Sequence, residues 1–275
     1  MKRIVVFVFI LICVSSIAQI PYGSNPKVGK YLNHRGFRMY YEIYGQGEPL
    51  LIIHGNGGSI SNFGNQIPYF SKKYQVILAD SRAHGKSIDN NDSLSYKMMT
   101  DDLNALLDHL HKDSCYVIGW SDGGIEGLLL SINFPKKVKK LAITGANLIP
   151  DANLAVDPWI DQDLKHNIDS LEKLIPSISV KTNLKLWRLM VREPHITHEA
   201  LQKISCPTLV IGGDQDVILP RHTLEIAENI KQSNLWILPN SGHSTPIYYK
   251  DIFNNTVNSF FKAPFVKKEK AMKFN

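Results

Sequence analysis

No apolar run in this chain reaches the roughly 20 residues needed to cross a bilayer. The longest, residues 4–14, spans eleven. Cysteine is scarce: Cys13 lies in that run, and Cys115 and Cys206 each open a separate apolar stretch. So few thiols exclude a disulfide scaffold, and the setting of Cys115 and Cys206 predicts two buried free thiols with no metal role. Low-complexity tracts and internal repeats are missing, which excludes solenoids and disordered binding segments. The formal charge is +6, yet no arginine-rich stripe interleaved with aromatics exists, so nucleic-acid binding has no support. Neither G-x-x-x-x-G-K-[ST] nor G-x-G-x-x-G occurs, which leaves no phosphate-binding loop of those types.

What is present begins with a basic start, Lys2 and Arg3, then the apolar run, then Ser15, Ser16 and Ala18 before Gln19. That layout predicts a signal peptide over residues 1–18, cleaved after Ala18, and hence an exported protein, periplasmic or extracellular, without a membrane span. A lipid-anchored form through Cys13 is disfavoured by bulky Ile12. Residues 19–29 read as a linker. From residue 30 short apolar runs alternate with amphipathic stretches. Two early strands over 31–44 turn at Arg35-Gly36. Runs at 49–53, 75–79, 115–118, 140–144, 208–211 and 234–238 are continuous and apolar, as strands covered on both faces require. Helical patterns cover 96–111, 125–134, 220–230 and 251–261. Strand and helix alternating at this spacing imply an α/β fold, a parallel sheet with helices on both faces.

Residues 150–204 break the rhythm. They hold no strand-like run and only two helical patches, at 170–174 and 184–191. This segment reads as a helical cap inserted between the core parts 30–149 and 205–263, lying over the carboxyl ends of the strands. Residues 264–275 form a basic tail with Lys267, Lys268, Lys270 and Lys273, a solvated end.

Four patterns follow four of these strands. Gly119-Trp120-Ser121-Asp122-Gly123 sits between a strand and a helix, the setting of a nucleophile elbow, where a sharp turn lifts a serine hydroxyl clear of the sheet. A serine needs a neighbouring base, and Asn240-Ser241-Gly242-His243 supplies one after the last strand. The other histidines lack that setting: His109 and His111 lie on a helix face, and His195, His198 and His222 follow no strand. Gly212-Gly213-Asp214-Gln215-Asp216 offers a carboxylate to orient the imidazole. Asp216 is favoured, with Asp214 bracing the turn. His54-Gly55-Asn56-Gly57-Gly58-Ser59 supplies backbone N–H groups for an oxyanion hole, from Asn56 or Gly57, paired with that of Asp122. The turn from Asp80 to Ser87 reads as a structural brace. Trp120, Trp159, Trp187 and Met190 are candidate walls of a substrate pocket, with Asp122.

Together HGNGGS, DSRAHGKS, GWSDGG, CPTLVIGGDQD and LPNSGHS, in this order, resemble the α/β-hydrolase superfamily from residue 30 to 261. The resemblance implies an eight-stranded, mostly parallel sheet with a helical cap after the sixth strand. It also implies a triad of Ser121, Asp216 and His243 working without metal or cofactor. GWSDGG is similar to the valacyclovir-hydrolase-like and aminoacyl-ester hydrolase branch. Prolyl iminopeptidases carry a different elbow, and haloalkane dehalogenases and epoxide hydrolases need aspartate where Ser121 stands. Ala83 departs from the glycine common in the D-x-R-G-x-G-x-S turn. The expected activity is hydrolysis of a small-molecule carboxylic ester, with Asp122 a candidate contact for the ammonium of an aminoacyl ester. Amide or carbon–carbon hydrolysis, acyl transfer and perhydrolysis use similar triads, and a ligand-binding protein on the same fold is the alternative of another class.

Overall fold

The computed structural model describes residues 20–91 and 93–266; the expected signal peptide and the lysines of the basic tail lie outside them. The strands are β1 (Lys30–His34), β2 (Phe37–Tyr44), β3 (Glu48–Ile53), β4 (Tyr74–Ala79), β5 (Cys115–Trp120), β6 (Val138–Thr144), β7 (Thr208–Gly213) and β8 (Ser233–Leu238). The helices are α1 (Ile67–Phe70), α2 (Tyr96–His109), α3 (Asp122–Asn133), α4 (Pro158–Glu172), α5 (Ile178–Arg192), α6 (His198–Leu201), α7 (Pro220–Glu228), α8 (Thr245–Tyr248) and α9 (Lys250–Lys262). One sheet has the order β1-β2-β4-β3-β5-β6-β7-β8, and β1–β2 and β2–β4 alone are antiparallel within it.

The apolar runs explain the layering. Side chains alternate across a strand, so Leu51, Ile53, Ile77, Val117, Leu141 and Ile143 join one core cluster, with α2 and α3 above them. Leu50, Ile52, Val76, Leu78, Ile118 and Ala142 join the other, against Phe253, Val257 and Phe261 of α9. Each such residue withdrawn from water contributes about 1.5–3 kcal/mol, so both faces hold the sheet. The two thiols are buried and free, and burial pushes that of Cys115 up to about 12. Among the described residues, no helix is long and apolar enough to cross a membrane.

The strand order reverses between β3 and β5: the chain moves from β3 outward to β4, then crosses back to β5. Ligands of open α/β sheets bind at such a reversal, beyond the carboxyl ends of the strands. Residues 54–59 and Ser121 both emerge there. Between β6 and β7 the chain forms α4 and α5, which pack on each other. Both begin well before the helical patches at 170–174 and 184–191, because capping residues rather than an apolar stripe set where they start. Asp157 caps α4 ahead of Pro158, and Ser177 caps α5.

The turn after β4 is a brace built on one buried carboxylate. Asp80 accepts the N–H groups of Ile60 and Lys86, at 2.9 and 2.7 Å. Ala83 has a φ of 65° and Gly85 one of 49°, so the departure at Ala83 falls on a position of left-handed backbone. A β-carbon at Gly85 would stand 2.2 Å from Asp80 Oδ2. Replacing Gly85 with Ala therefore both strains the turn and displaces the carboxylate. It should lower the unfolding free energy by at least about 2 kcal/mol, read by urea denaturation. Ala83→Gly, which relieves strain but loosens the unfolded chain, should change it by under about 1 kcal/mol.

Candidate active site

Ser121 is the hinge of the turn from β5 into α3, with φ 58° and ψ −122°. The turn is too tight for side chains on either flank. A β-carbon at Gly119 would lie 2.2 Å from the Gly123 carbonyl oxygen, and one at Gly123 2.2 Å from that of Ile53. These close approaches press the start of α3 against the end of β3 and hold the Ser121 hydroxyl above the sheet.

His243 Nε2 lies 2.9 Å from Ser121 Oγ, and His243 Nδ1 2.7 Å from Asp216 Oδ1. With Nδ1–H donated to the carboxylate, Nε2 is left as the acceptor facing the serine. Asp216 Oδ1 also accepts the Ile218 N–H at 3.0 Å. Asp214 instead accepts the Ser241 N–H at 3.1 Å, two residues before the imidazole. Trp120 donates its indole N–H to the His243 carbonyl at 2.8 Å, so the histidine loop is tied to the elbow on one side and to the turn after β7 on the other.

The loop after β3 passes directly over the serine: a β-carbon at Gly55 would stand 2.9 Å from that of Ser121. His54 fixes this loop. Its Nε2 accepts the Ser81 N–H at 2.9 Å and its Nδ1 lies 2.8 Å from the Gly55 carbonyl oxygen. Burial holds the ring neutral, with a pKa lowered to about 4. Among the described residues, the N–H groups of Asn56, Gly57 and Asp122 meet no acceptor within the chain. That of Asp122 is free because the first N–H groups of a helix have no partner in the helix.

These residues open into a cavity of about 430 Å³, within the range of small-molecule sites. Of the expected walls, Trp120, Asp122, Trp187 and Met190 line it. Trp159 does not. It stands 56% exposed on α4, and the next residue, Ile160, faces the cavity instead with Leu164. One helical step rotates a side chain by roughly 100°, which is the difference between wall and surface here. On α5 the lining residues Asn183, Leu186, Trp187 and Met190 repeat at helical spacing, a stripe visible in the sequence only in part. Tyr96, which opens α2, also lines the cavity and carried no signal beyond that of a core aromatic.

The Asp122 side chain is buried, and its Oδ2 accepts Asn56 Nδ2–H at 3.0 Å. Burial pushes its pKa up to about 6, opposed by that hydrogen bond. One turn on, burial and the neighbouring Asp122 carboxylate hold the Glu126 carboxyl well above its ordinary value. The cavity lining carries the carboxylates Asp122, Asp163 and Glu193 and no lysine or arginine. Among the described residues, no group of three or more His, Cys, Asp or Glu is arranged to hold a metal ion.

Residues 48–167 match the family model of the alpha/beta hydrolase fold. The human serine hydrolase BPHL is 26% identical over 82% of this chain and 84% of its own length. 3-Oxoadipate enol-lactonase 2 of Acinetobacter baylyi is 26% identical over 81% of this chain and 92% of its own. A hydrolase from Pseudomonas aeruginosa superimposes with a TM-score of 0.74 over 87% of this chain and all of its own, at 21% identity. The family match, the relatives and the fold together support an α/β-hydrolase superfamily member, a hydrolase of that fold.

The two aspartates after β7 make a direct test of the arrangement. Asp216→Asn should reduce turnover of an activated p-nitrophenyl ester by on the order of 10³–10⁴, because the amide stabilises the wrong imidazole tautomer. Asp214→Asn, which touches only the Ser241 backbone, should cost about tenfold or less. Equal losses would show that the imidazole does not depend on Asp216.

Proposed function

We propose that the protein is a serine hydrolase of carboxylic esters, working through an acyl-enzyme on Ser121. The observation that carries this reading is the hydrogen-bonded row Asp216–His243–Ser121 opening into the cavity at the free N–H groups of residues 56, 57 and 122. Ser121 Oγ attacks the ester carbonyl carbon while His243 Nε2 takes its proton. The resulting oxyanion lies against the Asp122 N–H and that of Asn56 or Gly57. Collapse expels the alcohol, which receives the proton from His243. Water then attacks the acyl-enzyme, again giving its proton to His243, which passes it to Ser121 Oγ as the acid leaves. Asp216 stabilises the imidazolium in both halves.

Labelling with a fluorophosphonate tests the nucleophile. A stoichiometric adduct on Ser121, lost in Ser121→Ala, is the expected result. Folded protein that takes no label would favour a binding protein on the same fold.

The acyl group, on this reading, carries an amine next to the carbonyl. The support is the Asp122 carboxylate, buried beside the nucleophile in a cavity whose other charged walls are also acidic. Recognition by Asp122 requires its charged form, present above about 6 and lost below. The ratio of kcat/KM for a phenylalanine ester over its des-amino analogue should therefore fall as pH drops from 7 to 5. The ester's own amine only gains protons in that direction, and the row Asp216–His243–Ser121 serves both substrates alike. A ratio flat across this interval would remove Asp122 from substrate choice.

A further inference from the structure

The link between the two cap helices is apolar where it meets solvent. Residues 172–179 are all exposed, and within them Leu174 is 53%, Ile178 73% and Ile175 89% exposed. Among the described residues, no other two exposed large apolar side chains are adjacent in the chain. A single exposed aliphatic side chain is ordinary. A run such as Leu174-Ile175-Pro176, with Ile178 beyond it, is what an interaction surface looks like.

The charges around this tip decide what fits it. α5 carries Lys181, Lys185, Arg188 and Arg192 and no acidic residue. Their spacing of four, three and four puts them on one face of the helix, and Ile178, three residues before Lys181, falls on the same face. Lys173 stands on the other side of the tip, at the C-terminus of α4. The acidic residues of the two helices, Asp161, Asp163, Asp169 and Glu172, all lie on α4. There Asp161 pairs with Lys165 and Glu172 with Arg188, while Lys185 pairs with Asp89 of the core. Among the described residues, Lys173, Lys181 and Arg192 enter no ion pair, so the apolar tip is flanked by positive charge on both sides.

We propose that residues 174–178, with Lys173, Lys181 and the basic face of α5, dock the protein on an anionic lipid surface. Aliphatic side chains at such a tip reach roughly 5–10 Å into the boundary between headgroups and acyl chains. Lysines on either side keep their ammonium groups among the lipid phosphates while their stems lie along the apolar layer. The contact is peripheral, through one helix end and one helix face. It leaves the row Asp216–His243–Ser121 on the core untouched and does not depend on the reaction proposed above.

Co-sedimentation with vesicles of phosphatidylglycerol or of phosphatidylcholine tests this. The protein is used without residues 1–18, whose apolar run would bind lipid by itself; the sheet and both core clusters lie wholly within the described residues. The wild type should bind the phosphatidylglycerol vesicles, more weakly as salt rises, and leave the neutral ones unbound. Lys173→Gln and Lys181→Gln should each weaken binding about fivefold. Ile175→Asp combined with Ile178→Asp should weaken it about tenfold or more. Neither isoleucine lines the cavity, so turnover of a soluble p-nitrophenyl ester should match the wild type in every variant and report an intact fold. Variants that sediment as fully as the wild type would overturn the proposal and move the lipid contact elsewhere, to the basic tail first. Equal binding to both kinds of vesicle would overturn it by removing the role of charge. Wild-type protein that stays in solution with both would overturn it as well, and a dimer that the two aspartates dissolve, seen by sedimentation velocity, would then assign the tip to a second copy of this chain.

Discussion

The site depends on one backbone contact, the packing of the first turn of α3 against the end of β3. Gly123 lies where a β-carbon would stand 2.2 Å from the Ile53 carbonyl oxygen, and no other residue fits without moving a central strand. That approach forces the chain to reverse within a single residue, which leaves Ser121 at a φ of 58°. Holding a residue with a β-carbon in so sparsely populated a region costs about 1–3 kcal/mol. The apolar clusters on both faces of the sheet far exceed this, so the strain persists where it serves the site. From the same contact follow the position of the hydroxyl, the free N–H of Asp122 and the passage of residues 54–58 over the serine.

Around this fixed centre each mobile part is held by a group whose charge state suits its task. His54 is neutral and accepts one backbone N–H, which keeps the loop after β3 over the nucleophile. Asp80 is a buried carboxylate satisfied by two backbone donors, and it ties the turn after β4 to Ile60. The imidazole that must move protons is held through its backbone, by Trp120 at its carbonyl and Asp214 at Ser241. Its ring is thus left to Ser121 and Asp216 alone.

The sheet and the reacting residues were legible because they are local in the chain. Continuous apolar runs report burial on two faces, and glycines flanking Ser121 report a turn that nothing larger permits. The start of α3 was less legible: Asp122, Gly123 and Gly124 belong to the helix, although glycine disfavours helices. Tertiary contact overrides propensity there. The cavity walls were legible only in part. Trp187 and Met190 lie on the inward stripe of α5, whereas Trp159 misses the cavity by one helical step. Which way a cap helix turns depends on what it packs against, and residues 158–172 have an apolar face too interrupted to fix that. The bond from Asn56 to Leu186 spans 130 positions, and no spacing rule reaches so far.

Residues 56 and 122 each present two different groups to the cavity. Their backbone N–H groups are fixed by the elbow and the loop after β3, and would be unchanged by any side chain that fits. Their side chains meet each other and the Leu186 carbonyl of the cap. On the proposed reading the oxyanion donors are thereby backbone groups that the sheet holds rigid, whereas the side chains of the same two residues are held by each other and by the cap. The Leu186 carbonyl belongs to α5, whereas Ser121, His243 and Asp216 all lie at the ends of the sheet strands. The hydrogen-bonded row Asp216–His243–Ser121 is therefore assembled without any residue of α4 or α5, which reach the cavity only as its walls.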